Sequence, residues 1–186
     1  MNPIVPPIAK ILAILTLGTD IGILIYVTAG IVAIKSPPLR ETREKLLALV
    51  APYARILAFV VALVATSGSL FFSEIARYTP CLLCWWQRIF MYPQVLLIGL
   101  GIIKNDKDIA DYSIAMSIIG GAIALYHYYI QLGGKTFLTC ETIGYSVSCT
   151  ERFSLEFGYI TIPMMALSAF AAIVLLMLLS KRYANV

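Results

Sequence analysis

Long apolar stretches separated by short polar gaps make up this chain, and the stretches exceed what a soluble core needs. Five of them, about 8–34, 51–73, 85–103, 112–132 and 157–180, each reach the roughly 20 helical residues that cross a hydrocarbon core. The pattern predicts an all-α integral membrane protein with five crossings. The first run extends well beyond the roughly 7–15 apolar residues of a signal peptide and lacks a basic start and a small-residue cleavage site, so it reads as a retained helix.

Composition agrees: 60% of the 186 residues are hydrophobic and only 13% charged, too little polar surface for a water-soluble exterior. The net charge of +4 does not indicate nucleic acid, because the basic residues gather in the gaps between apolar runs. They report orientation instead. Lys35, Arg40, Arg43, Lys45 and Arg55 surround the first gap, Lys104 and Lys107 lie in the third, and Lys181 and Arg182 follow the last run. Under the positive-inside bias these regions face the cytoplasm. The N-terminus, the turn at 77–84 and the loop at 133–156 then lie outside, with Arg77, Lys135 and Arg152 as their basic residues.

All four cysteines fall on that outer side. Cys81 and Cys84 open the third run in TPCLLCWWQRIFMYP, and Cys140 and Cys149 lie in the 133–156 loop. Extracytoplasmic thiols tend toward disulfides, so two disulfide pairs are the natural reading. The loop exceeds the ~12–15 residues of a connection that only connects. Its glycines and hydroxyl residues favour a mobile segment whose cysteines exchange partners.

Pro80 fits a helix start and places Cys81 and Cys84 in the first turn. Free N–H groups and the positive end of the helix dipole stabilise a thiolate there, and the thiolate is the attacking species in disulfide exchange. Arg88 follows Cys84 by four residues, on the same helical face and ~6 Å deeper. An arginine at that depth is either an interfacial anchor beside Trp85 and Trp86 or a functional group. The single histidine, His127, lies ~8 Å below the outer end of its run, level with Arg88. With Tyr92, Tyr126, Tyr128 and Gln131 nearby, the two form a candidate site for the carbonyl oxygens of a flat apolar head group. A satisfied packing histidine is the alternative.

SLFFSEI, PCLLCWWQRIFMYP, LYHYYIQ, a two-cysteine loop and YITIPMMALS, in this order, resemble the DsbB family of disulfide bond formation membrane proteins, in its BdbC-like branch. The resemblance covers roughly 52–180. It implies a four-helix transmembrane bundle that oxidises a thioredoxin-fold, DsbA-like dithiol protein outside the cytoplasm. The two electrons then pass to a membrane quinone, ubiquinone or menaquinone. By position, Cys140 and Cys149 match the pair that meets the partner, Cys81 and Cys84 the pair beside the quinone. Arg88 matches the residue that polarises the quinone, and His127 the family's histidine in the corresponding helix.

The first helix departs from the four-crossing pattern, which divides the chain into 1–50, an added helix and cytoplasmic loop, and 51–186, the oxidoreductase bundle. An added odd helix puts the N-terminus outside without inverting the bundle. Asp20 within it has a structural reading, pairing with a neighbouring helix or facing Thr16 and Thr19, in preference to a polar path. Three rival readings are weaker. A metal protein is disfavoured by the C-x8-C spacing of the loop pair, which has no accompanying histidine. In a vitamin K epoxide reductase-like quinone reductase the loop cysteines precede the CxxC. A structural protein with two disulfides would show bonds that do not exchange.

Overall fold

In the computed structural model, residues 3–106, 108–135 and 148–184 are described. Among the described residues six α-helices follow one another: α1 (Val5–Lys35), α2 (Pro37–Val50), α3 (Ala54–Leu70), α4 (Leu82–Ile103), α5 (Ile109–Gln131) and α6 (Ile162–Ala184). Five stretches, α1, the Pro37–Ile75 continuum, α4, α5 and α6, are long and apolar enough to span a membrane. The predicted all-α membrane fold is therefore the observed one.

Prolines early in α1 suit the start of a helix, where missing N–H groups cost nothing. Its polar side chains are absorbed locally: the hydroxyls of Thr16, Thr19 and Thr28 donate to the carbonyls of Leu12, Leu15 and Leu24 at 2.8–2.9 Å. Ser36, before Pro37, turns extended at φ −133° and ψ 102°, as pre-proline residues do. The charged segment after it is not a loop but α2, in which no residue is buried. A 3₁₀ turn at Ala51–Tyr53 joins α2 to α3, and a π-helical turn at Phe71–Ile75 extends α3, giving one helical stretch of 39 residues. At 1.5 Å per residue that is roughly 58 Å, well beyond a ~30 Å hydrocarbon core. The α2 end is tied to the end of α6 through Glu44, which meets Arg182 at 2.9 Å and accepts from the Tyr183 hydroxyl at 2.8 Å.

The last helix begins at Ile162 rather than at Phe157. Phe157 and Gly158 have φ of 50° and 79°, and Glu156 pairs with Ile160 in a tight turn, so the apolar start of that run is spent on a reversal. The helices α4 and α5 each start three residues earlier than the apolar runs suggest, at Leu82 and Ile109.

The α3, α4, α5 and α6 helices pack around Ala58, Ala62, Met91, Ile98, Ala124, Phe170 and Ile173. Small residues let membrane helices approach closely. At Gly120 on α5, an added Cβ would lie 2.3 Å from Cζ of Phe170, whose ring is 1% exposed. Gly120→Ala is therefore expected to destabilise the detergent-solubilised protein by about 1–3 kcal/mol through overpacking, read as a lower Tm. An unchanged Tm would show that Phe170 has room to move. A buried polar link crosses α4 and α5, where Ser117 donates to Gln94 Oε1 at 3.1 Å.

Helix α1 packs on α6 and α2. Asp20 accepts from Ser168 Oγ at 2.5 Å and from the Tyr159 hydroxyl at 3.1 Å. This is the expected pairing with a neighbouring helix.

Candidate functional site

The site is built at the outer end of α4. Cys81 is its N-cap, with φ −77° and ψ 172°, and its carbonyl accepts from the N–H of Trp85 at 3.1 Å. Cys84 thus sits in the first turn. The two sulfurs are free thiols 3.2 Å apart. Cys149 is disulfide-bonded and 1% exposed, in one buried cluster with Cys81, Leu83 and Ile130. Cys140 lies outside the described residues.

His127 joins these parts. Its Nε2 is 3.6 Å from Cys81 Sγ and 3.1 Å from the Cys149 carbonyl oxygen, and its Nδ1 is 2.9 Å from Gln87 Nε2. The same Gln87 nitrogen donates to the Leu83 carbonyl at 3.1 Å. A carbonyl only accepts, so the amide must present its NH₂ group there, and Nδ1 receives the second hydrogen. Neutral His127 therefore carries its proton on Nε2, facing the sulfur. Cys81, Cys84 and His127 place their donor atoms within 4.8 Å of one another, a spacing open to a soft cation. The tautomer fixed by Gln87 works against that use, since the ring nitrogen nearest the thiols is protonated.

A cavity of about 280 Å³ opens on the other side of Cys84, at the lower end of small-molecule sites. Arg88 and Tyr92 line it, with Ser69 and Phe72 facing from the α3 side. Arg88 is tied to Ser69 of α3. Its Nε and Nη2 donate to Ser69 Oγ and O at 3.1 and 3.2 Å, and Tyr92 donates to Ser69 Oγ at 3.0 Å. Its guanidinium lies 5.0 Å from the Trp85 ring centroid. Ser69 takes two of the five guanidinium donors, leaving others for an oxygen ligand in the cavity.

A second, much smaller cavity of about 20 Å³ is lined by Cys81, Cys84, His127, Gln131, Ser154 and their neighbours. Of the described cysteines only Cys84 borders both cavities. An aromatic stack lines the large cavity: Tyr78 lies 5.9 Å from Phe72 and 4.8 Å from Phe153, near parallel to each, and Phe153 borders the small cavity as well. The returning loop is pinned to α5, where Gln131 Nε2 donates to Glu151 O at 2.9 Å, Arg152 donates to the Gln131 carbonyl and Tyr128 donates to Tyr159 O.

Cys81, Cys84, Arg88, His127 and Cys149 thus converge. Arg88 and His127 do not share a surface: Arg88 borders the large cavity and His127 the small one. Sequence reasoning missed Gln87, Ser69 and Phe153. Gln87 carried a signal, standing in the QR that follows the cysteines, on the His127 side of α4. Ser69 and Phe153 carried none.

Cys81 lies just outside the Leu82–Ile103 span. The hydrogen bond from Cys84 draws its thiol down to about 4, His127 adding to the effect and burial opposing it. A lowered value leaves the thiolate present at neutral pH and removes it only as pH falls through about 4. Reduced protein should show thiolate ultraviolet absorbance at neutral pH, and His127→Leu should move its loss to higher pH. Absorbance arising only near the ordinary thiol range would contradict this geometry.

Three comparisons bear on the chain. A family model described as disulfide bond formation protein DsbB matches residues 51–180. The "Probable disulfide formation protein C 1" of Bacillus anthracis is 46% identical over 121 residues, 65% of this chain and 86% of that protein. The "Disulfide bond formation protein C" of Bacillus subtilis (strain 168) is 43% identical over 126 residues, 67% of this chain and 89% of that protein. No solved structure gives a significant match.

Proposed function

This chain belongs to the DsbB family of disulfide bond formation proteins, a multi-pass membrane oxidoreductase by that membership, and from this premise we propose that it is a thiol:quinone oxidoreductase. Its substrate is the dithiol of a thioredoxin-fold, DsbA-like protein outside the cytoplasm. The partner dithiol reduces the Cys140–Cys149 disulfide and leaves oxidised. Cys149 then attacks Cys81 of an oxidised Cys81–Cys84 pair, expelling the Cys84 thiolate. Cys140 attacks Cys149 in turn, restoring the outer disulfide and releasing the Cys81 thiolate, and loss of two electrons and two protons from Cys81 and Cys84 then restores the inner disulfide.

The observation that carries this reading is the position of Cys84 between the two cavities. Cys81 faces the side of Cys149 and His127, where sulfur exchange belongs. Cys84 also faces the apolar cavity with Arg88 and Tyr92. That cavity suits a quinone ring: it has apolar walls, room for one ring and a guanidinium able to hold a carbonyl oxygen. When bound, a quinone supplies an acceptor for two electrons and two protons. A strongly oxidising partner dithiol near about −120 mV needs such an acceptor, since each ~30 mV is about 1.4 kcal/mol for two electrons. Arg88 holds and orients the oxygen. His127 acts on the sulfur side, stabilising the Cys81 thiolate. The N-terminus and cysteines lie outside the cell membrane and the C-terminus in the cytoplasm, as the lysine and arginine bias indicates.

Purified protein given a reduced thioredoxin-fold dithiol and a quinone should consume one quinone per disulfide formed, followed by quinone absorbance. Disulfides that never exchange, or dithiol oxidation without quinone loss, would overturn the proposal.

A further inference from the structure

The family match begins at residue 51, and 65% of this chain accounts for 86% of its Bacillus anthracis relative, so α1 stands outside the shared region. It is nevertheless part of the site. Leu12, Leu15, Thr16 and Thr19 line the same cavity as Cys84 and Arg88. From this juxtaposition we propose that α1 is the surface on which the apolar prenyl tail of the quinone lies, an inference that rests on the quinone reading above.

The polarity of the walls argues for this division. The Thr16 and Thr19 hydroxyls are bound to carbonyls of their own helix at 2.9 Å, so α1 offers methyl and methylene groups. The polar side of the cavity is on α4 and α3, where Arg88, Tyr92 and Ser69 are bonded together. A ring whose oxygen is held by Arg88 leaves its apolar remainder to the rest of the wall, which α1 completes together with apolar side chains of α3 and α6 such as Val60, Val64 and Met165. The helix is also held in a defined rotation. Asp20 accepts from Ser168 and Tyr159, and a carboxyl group at membrane depth is costly without such partners. Leu12 fits over Gly68, where an added Cβ would come 3.0 Å from Leu12 Cδ1. The wall is thus fixed against the bundle at two heights.

A prenylated quinone carrying a photoreactive group on its tail should label the wild-type protein within residues 5–35. Labelling confined to other helices would overturn the proposal, with no variant involved. Kinetics give a second reading. Thr16→Phe, which narrows the α1 side, should raise KM for a prenylated quinone by at least about tenfold and leave KM unchanged for a tail-less quinone of the same ring and for the dithiol partner. An equal rise for both quinones, or no rise for either, would reject α1 as the tail surface. Wild-type protein that reduces neither quinone would instead reject the underlying quinone reading.

Discussion

Cys84→Ser is expected to bring quinone reduction down to the uncatalysed rate while leaving the outer exchange intact. Without the second inner sulfur, Cys149 can still reach Cys81, because the two share one buried cluster beside Ile130. Cys81 displaces Cys140 from the outer disulfide, and with Cys84 gone the bond so formed can be reopened only by Cys140. The variant should accumulate an internal Cys81–Cys149 disulfide with a free Cys140 thiol, identified by peptide mass spectrometry. The companion substitution Arg88→His acts on the other side of Cys84. It removes a charged donor anchored on Ser69, and a hydrogen bond to a charged group is worth about 1.5–3 kcal/mol, or roughly 10- to 150-fold. That change should appear in the KM for quinone and not in the KM for the dithiol partner. Quinone kinetics unaffected by Arg88→His would leave the arginine as an interfacial anchor.

The other large effect concerns the order of the loop cysteines. Reach does not choose between them: Cys140 lies eight residues after Leu132 and Cys149 eight before Phe157, and each extended residue spans ~3.3–3.6 Å. The proposed relay puts the mixed disulfide with the partner on Cys140, leaving Cys149 to attack Cys81. The seat of Cys149 beside Cys81 supports this division. Separating Cys149 from Cys140 while the partner is bound also hinders the back-attack that would expel the partner unoxidised. A partner protein lacking its resolving cysteine should be trapped covalently on Cys140. The complex should persist in Cys149→Ala and be absent in Cys140→Ala. Recovery on Cys149 alone would reverse the order.

The crossings were legible because lipid leaves the backbone few options: an apolar run of this length has to be a helix. The ends were less legible. The segment 37–50 looks like a loop by charge, yet it continues a helix whose apolar part starts later. At Phe157 a hydrophobic residue is used in a turn, which hydropathy alone does not register. Cys81, Cys84 and Arg88 were legible since they lie on one helix, where spacing fixes relative direction. The separation of His127 from Arg88 was not, because it depends on how α4 and α5 are rotated against each other. That rotation is set by contacts such as Ser117 with Gln94 and Gly101 against Ile109, and Gln87 owes its role to the same rotation. Asp20 fell between these cases: its cost in lipid announced a partner, but not that the partner would be α6.

The single hydrogen that Gln87 leaves on His127 has two claimants, the Cys149 carbonyl at 3.1 Å and the Cys81 sulfur at 3.6 Å. With the loop seated, the nearer carbonyl draws on it; once Cys149 swings away, the sulfur has it alone. A thiolate so stabilised is a weaker nucleophile and a better leaving group. In the proposed relay a departing loop would therefore leave behind an inner sulfur less able to strike back at the bond just made outside, and the histidine would act as a rectifier, letting electrons run inward more readily than they return.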